Sequence, residues 1–69
     1  MNSPNDLQGI AITVARKLKD TGYLVSHSLL DGRMCWRIRD KQGREHLVDG
    51  KDHYHCAIQA AALFHIAWQ

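Results

Sequence analysis

Histidine and cysteine are the residue types in this chain that are best suited to metal binding or catalysis. The densest group is Asp52-His53-Tyr54-His55-Cys56, and others lie apart from it, at His27, Cys35, His46 and His65. Structural zinc sites use closely spaced ligands such as C-x₂₋₄-C and H-x₃₋₅-H, and these spacings are absent here. On a helix, His53 and His55 point in opposite directions and cannot chelate one ion together. We therefore expect no metal site and no cofactor.

Nucleophilic and acid–base catalysis also lack their usual residue patterns. A reactive cysteine needs a base within hydrogen-bond reach and a further group that orients this base, and no motif of this kind surrounds Cys35 or Cys56. Cys56 fits better as a small buried side chain. The aspartates lie near expected turns and helix ends, where capping accounts for them, and no phosphate-binding glycine motif occurs. We expect a protein that is not an enzyme.

A helix followed by a β-hairpin is expected to position these residues. Apolar residues recur at helical spacing from about Pro4 to Asp20. Asp31-Gly32 then separates two β-prone runs, and this dipeptide is a strong signal for a two-residue hairpin turn. The turn pairs Leu30 with Arg33 and therefore sets His27 opposite Trp36 on an apolar face. We expect His27 to be a core histidine rather than a catalytic one.

A third strand and a second helix are expected to follow. A three-residue loop ending at Gly43 would pair Arg39 with Glu45 and place Val48 beside Trp36, whereas a four-residue loop would place Leu47 there instead. Either loop leaves a short strand from Arg44 to Asp49, which Asp49-Gly50 ends. Asp52 is a plausible N-cap for a helix from His53 to the end of the chain.

These elements predict an α+β fold, a small two-layer α-β-β-β-α domain. Its sheet is a three-stranded antiparallel meander with two helices packed on one face. The chain has 69 residues, which allows one domain, 1–69. No signal peptide and no membrane-spanning run is evident, so we expect a cytoplasmic protein without membrane contact.

The outer face of the sheet is the first candidate binding surface. Alternation places five polar or basic side chains on it: Ser26, Ser28, Arg33, Arg37 and Arg39. Such a face is able to bind phosphates or an acidic protein surface, although an exposed antiparallel sheet is ordinarily polar. The net charge of +2 is too small to decide between these partners.

The last helix is the second candidate binding surface. From Tyr54 to Trp68 it is apolar almost all round, and four large side chains fall close together, Leu63, Phe64, Ile66 and Trp68. Side chains spread this widely around a helix cannot all enter one small core. We expect self-association through this helix, or its occupation by a partner.

The order of elements resembles that of the double-stranded-RNA-binding domain and its structural relatives. In that family the third strand leads into a helix that opens with clustered lysines and continues with an alanine-rich core stripe. Gly50-Lys51 is similar to that opening, and the later Ala57, Ala60, Ala61 and Leu63 are similar to that stripe. The resemblance covers nearly the whole chain and implies duplex-RNA binding. Small toxin ribonucleases of the HicA type share the layout and use a histidine on an early strand, which Ser26-His27 resembles.

Three functions therefore follow from the sequence. The first is a small regulatory or inhibitory protein of the kind found among bacterial and phage accessory proteins, which docks onto a macromolecular partner, and above all onto a protein. The second is a nucleic-acid-binding module for duplex RNA or DNA. The third is a HicA-like ribonuclease that uses His27.

Overall fold

The chain folds as a helix, three strands and a second helix, in the order expected from its sequence. The computed structural model describes the backbone of residues 4–67 and the side chains of residues 7–67. The elements are α1 (Pro4–Thr21), β1 (Leu24–Leu30), β2 (Arg33–Arg39), β3 (Glu45–Gly50) and α2 (His53–Phe64). The strands form one antiparallel sheet in the order β1-β2-β3. The predicted α+β layout is confirmed.

The turn between β1 and β2 has the backbone conformation that sets the hairpin register. Asp31 and Gly32 both have positive φ, 53° and 76°, as a two-residue type I′ turn requires. Leu30 therefore pairs with Arg33 and His27 with Trp36, as expected, and Val25 pairs with Ile38.

The loop between β2 and β3 is the shorter of the two alternatives. Gly43 has a φ of 85°, and its N–H donates to the carbonyl of Asp40 at 3.0 Å. The Asp40 side chain accepts from the backbone N–H groups of Gln42 and Arg44, both at 2.9 Å, and so holds the loop closed. As a result Arg39 pairs with Glu45, and Val48 rather than Leu47 lies beside Trp36.

One face of the sheet carries the core. Val14 and Leu18 of α1 are fully buried, as are Ile38 of β2 and Cys56 of α2. The buried part of α2 is otherwise alanine: Ala57, Ala60 and Ala61. Small side chains let α2 approach both the sheet and α1 closely, and α1 contacts α2 more extensively than it contacts β1. The edge of β1 that faces away from β2 is consequently not covered by α1.

The second helix ends earlier than its apolar sequence predicts. His65 adopts the left-handed conformation, with φ 56° and ψ 48°, and the N–H of Ile66 donates to the carbonyl of Ala61 at 2.8 Å. This is the hydrogen bond of a Schellman cap, which stops a helix and turns the chain back. Ile66 is therefore outside the helix, half-buried against the core. The prediction of a helix to the end of the chain was wrong.

Gly50 is part of β3 and marks its closest approach to α2. The sequence pattern predicted that it ends the strand, but it is the last paired residue, opposite Met34, and it is buried. A Cβ at this position would lie 2.6 Å from the Cβ of His55 and 3.3 Å from the backbone nitrogen of Cys56. Both atoms belong to or adjoin the α2 backbone, so rotating a side chain would not relieve the clash.

We expect Gly50→Ala to lower the free energy of unfolding by about 1–3 kcal/mol, because β3 and α2 would have to separate. Gly9→Ala is the matched control. An added Cβ there meets nothing within 4 Å, and alanine in a helix is favoured over glycine by about 0.8–1 kcal/mol. Urea denaturation of both variants tests this prediction. Wild-type stability in Gly50→Ala would contradict it.

Candidate functional site

The structure brings the five predicted residues of the outer sheet face together. Ser26 and Ser28 lie on β1, beside Arg37 and Cys35 of β2 respectively, while Arg33 and Arg39 lie at the two ends of β2. All five side chains are exposed. Both helices pack on the opposite face, so none of the described elements covers this one.

Carboxylates on β3 pair with the arginines of this face. Arg33 Nε lies 3.3 Å from Asp49 Oδ2, and Arg39 Nη2 lies 2.9 Å from Glu45 Oε2. Arg37 Nε lies 3.9 Å from the other oxygen of the same glutamate. Exposed pairs of this kind add little stability. They do reduce the positive potential, so the face is a mixture of both signs rather than a basic patch.

Three exposed leucines lie among these charges. Leu24 and Leu30 are at the two ends of β1, Leu47 is on β3, and their exposed fractions are 66%, 71% and 63%. The sequence analysis did not include them in the site, although the register places them there: Leu24 and Leu30 share the parity of Ser26, and Leu47 pairs with Arg37. We call the outer side of the three strands, including these leucines, the docking face.

His27 lies in an open groove on the other side of the sheet. The groove has a volume of about 380 Å³ and runs between α1 and β1, where Ala11, Ile12 and Val25 line it together with His27 and Trp36. His27 is exposed, so the prediction of a core histidine was wrong. The physical reason is that α1 packs mainly on α2 and does not cover this part of β1.

A second histidine contacts His27 in this groove. The His53 ring meets the His27 ring edge to face, with centroids 4.9 Å apart. Its Nδ1 accepts a hydrogen bond from Trp36 Nε1 at 3.0 Å, so this nitrogen carries no proton. The hydrogen bond satisfies the buried indole and occupies the acceptor nitrogen that a general base would use.

The other histidines serve loops and helix ends. His46 Nε2 lies 3.0 Å from Asp40 Oδ2, and His55 Nδ1 lies 2.6 Å from Asp52 Oδ1. Asp52 also accepts from the N–H of His55 and so is the N-cap of α2, as predicted. Through residues 7–67, the histidines, cysteines and acidic side chains form no group of three placed to hold a metal ion.

The two cysteines differ in burial. Cys35 is half-exposed on the docking face, while Cys56 is fully buried in α2 and its Sγ donates to the carbonyl of Met34 at 3.2 Å. Burial raises the pKa of the Cys56 thiol. A raised pKa disfavours the reactive thiolate, which agrees with the expectation that Cys56 is a packing residue.

The predicted interface on the last helix is divided by the Schellman cap. Leu63 is 48% exposed, whereas Phe64 and Ile66 are half-buried. The Phe64 ring lies between Tyr23 and His46, with centroids 5.1 Å from each. Trp68 lies outside the described residues. The apolar surface that α2 leaves uncovered is therefore centred on Leu63 alone among these described residues.

The carboxyl groups of Asp40 and Asp52 should make folding sensitive to acid. Hydrogen bonds from His46 and His55, respectively, lower the pKa of each below its ordinary value. A carboxyl with a lowered folded pKa contributes stability above its unfolded pKa, and this is lost as the pH falls through the folded value.

We expect the free energy of unfolding to decrease as the pH falls below about 4. This decrease should be smaller in a chain that combines Asp40→Asn with Asp52→Asn. Asp20→Asn, at an exposed aspartate near the end of α1, is the control. Its free energy of unfolding should fall with decreasing pH as steeply as that of the wild type. Urea denaturation at a series of pH values measures the effect. The prediction would be contradicted if the free energy of unfolding of the double variant fell with pH as steeply as that of the wild type.

We also expect the chain to fold without a metal ion. Treatment with a chelator should leave the midpoint of thermal unfolding unchanged, because no three potential ligands among the described residues are grouped to hold one ion. A fall of more than a few degrees would instead point to a site formed by Cys35, His46 and Cys56.

Of the helices in the described part of the chain, none combines the length and the hydrophobicity that a membrane crossing requires.

Comparison of the chain with known proteins found no match. No protein-family model matches the chain, and no curated protein or solved structure matches it either.

Proposed function

We propose that this chain is a non-enzymatic binding protein, a small regulator or inhibitor that docks onto a protein partner through the docking face. The observation that carries this proposal is the set of three leucines, 63–71% exposed, on a sheet face that the helices leave uncovered. Several large apolar side chains that share one uncovered face mark an interaction site more often than single ones scattered over the whole surface do, and two of these, Leu30 and Leu47, line one depression of the face.

The composition of the docking face favours a protein over a nucleic acid. A phosphate backbone is bound by cations that are free to replace its counterions. Here Glu45 lies within 3.9 Å of Arg37 and 2.9 Å of Arg39, and Asp49 lies 3.3 Å from Arg33. These carboxylates would repel phosphates. Arginine combined with apolar side chains is, in contrast, typical of protein interfaces.

A partner for this surface is expected to match its pattern. It would present apolar side chains to Leu24, Leu30 and Leu47, and carboxylates to the arginines of β2. Arg37 is the best placed of these arginines to meet the partner, since its contact to Glu45 is the longest of the three ion pairs. Its side chain is 62% exposed, and Leu47 is its partner on β3.

We expect Arg37→Glu to slow association with the partner several-fold at low salt and to weaken the complex, with little effect on folding. The change reverses a charge at the centre of the docking face. Arg16→Glu, at an exposed arginine of α1, is the matched control and should bind like the wild type.

The experiment starts with affinity capture from host lysate by the wild-type chain and both variants, followed by quantitative mass spectrometry. The captured protein is then produced and its association rate is measured at several salt concentrations. Equal binding by the Arg37→Glu and wild-type chains would contradict the proposal. Retention on duplex RNA that falls steeply with salt would favour the nucleic-acid function, and RNA cleavage lost in His27→Ala would favour the ribonuclease.

A further inference from the structure

Strand β1 has one unpaired edge. It is the first strand in the sheet order, and of the strands in residues 4–67 only β2 pairs with it. The two-residue turn makes Leu30 and Arg33 a hydrogen-bonded pair, and hydrogen bonding alternates along an antiparallel ladder. The backbone groups of Ser26 and Ser28 therefore point toward β2. Those of Val25, His27 and Leu29 point outward, where no strand of the described chain meets them.

This edge lacks the features by which proteins usually protect an exposed strand. Leu24–Leu30 reads LVSHSLL, with no charged residue and no proline, and all seven residues pair with β2 without a bulge. Charges, prolines and bulges are the common means of preventing strands from joining edge to edge. The opposite edge, β3, carries Glu45 and Asp49.

The sequence of β1 is also self-complementary. Around His27 it is symmetric in side-chain type, since Ser26 matches Ser28, Val25 matches Leu29 and Leu24 matches Leu30. An antiparallel copy of the strand, centred on His27, would therefore place like against like at every position. Of the possible antiparallel registers, this one pairs all seven residues.

We propose that two copies of this chain associate along β1, antiparallel and related by a two-fold axis through His27. Their sheets then form one continuous six-stranded antiparallel sheet, β3-β2-β1-β1-β2-β3. Val25 and Leu29 of each copy exchange backbone hydrogen bonds with Leu29 and Val25 of the other, and the two His27 residues pair with each other.

This association covers the flanks of apolar side chains that a single copy leaves exposed, while the tops of those on the outer face stay available to a partner of the docking face. On the outer face, Leu24 meets Leu30 of the second copy, and in one copy these residues are 66% and 71% exposed. On the inner face, Leu29, itself 66% exposed, meets Val25 of the second copy. Because directly opposed residues share a face, both helical layers lie on the same side of the extended sheet.

The groove between α1 and β1 then adjoins its symmetry mate. Ile12, 58% exposed, lines this groove together with Val25 and His27, so both copies present apolar side chains toward the axis. The assembly closes at two copies because each free edge is now β3, where Glu45 and Asp49 oppose addition of a further identical strand.

A charge-exchange experiment tests this arrangement, with the dimer dissociation constant measured by analytical ultracentrifugation. Leu24→Lys and Leu30→Glu should each weaken the dimer by about tenfold or more, since each change affects two symmetric contacts. The double variant should regain most of this loss, because the introduced lysine of one copy then opposes the introduced glutamate of the other. In one chain these positions are at opposite ends of β1, so the recovery reports on contact between copies.

Leu47→Lys is the matched control, since Leu47 is 63% exposed on the same face but lies on β3, away from the two-fold axis. It should leave the dimer unchanged. It should nevertheless weaken binding to a protein partner of the docking face, so failure of one proposal is distinguishable from failure of the other. A wild-type chain that stays monomeric at high micromolar concentration overturns the edge pairing. A dimer disrupted by Leu63→Lys but not by Leu24→Lys also overturns it, in favour of α2.

Hydrogen exchange of the wild-type chain provides a second test that needs no variant. The amides of Val25, His27 and Leu29 should exchange fast in dilute protein and become protected as concentration rises. Those of Ser26 and Ser28 should be protected at all concentrations, because β2 already pairs with them. Protection of Val25, His27 and Leu29 that does not depend on concentration would overturn the proposal.

Discussion

The two-residue turn at Asp31 and Gly32 is the constraint on which the rest of the structure depends. Its positive φ angles pair Leu30 with Arg33, and every other strand position follows from that pair. A shift of one residue would move Trp36 and Ile38 out of the core and bring Arg37 into it. The turn therefore determines the core face, the docking face and the direction in which the backbone of β1 points.

Much of this could be predicted from sequence because the signals are local. The Asp-Gly turn fixes the first hairpin, and Asp52 caps α2 through its own backbone neighbours. For the loop that ends at Gly43, the sequence allowed two lengths. The structure resolves it through the Asp40 side chain, which accepts hydrogen bonds from Gln42 and Arg44 and so closes the shorter loop. The positions of Ser26, Ser28 and the three arginines on one face follow from the same alternation.

The features that sequence reasoning missed depend on how elements cover one another. His27 has the register of a core residue but is exposed, because α1 packs mainly on α2 and does not cover the middle of β1. The alanines of α2 permit that packing, and their spacing alone does not reveal which surface they will meet. The end of α2 was missed for a different reason. His65 adopts the left-handed conformation that glycine usually supplies, so no residue type marked the cap.

The packing of α1 on α2 brings the first and the last element of the described chain together and affects how the chain folds. The hairpins join neighbouring segments, so their loop-closure entropy is small and they can form early. A three-stranded sheet without its helices leaves its apolar face in water, and α1 cannot bury Val14 and Leu18 until α2 is present. The chain should therefore fold in one cooperative step that ends with the docking of both helices. Neither half of a chain cut within the sheet is expected to fold alone.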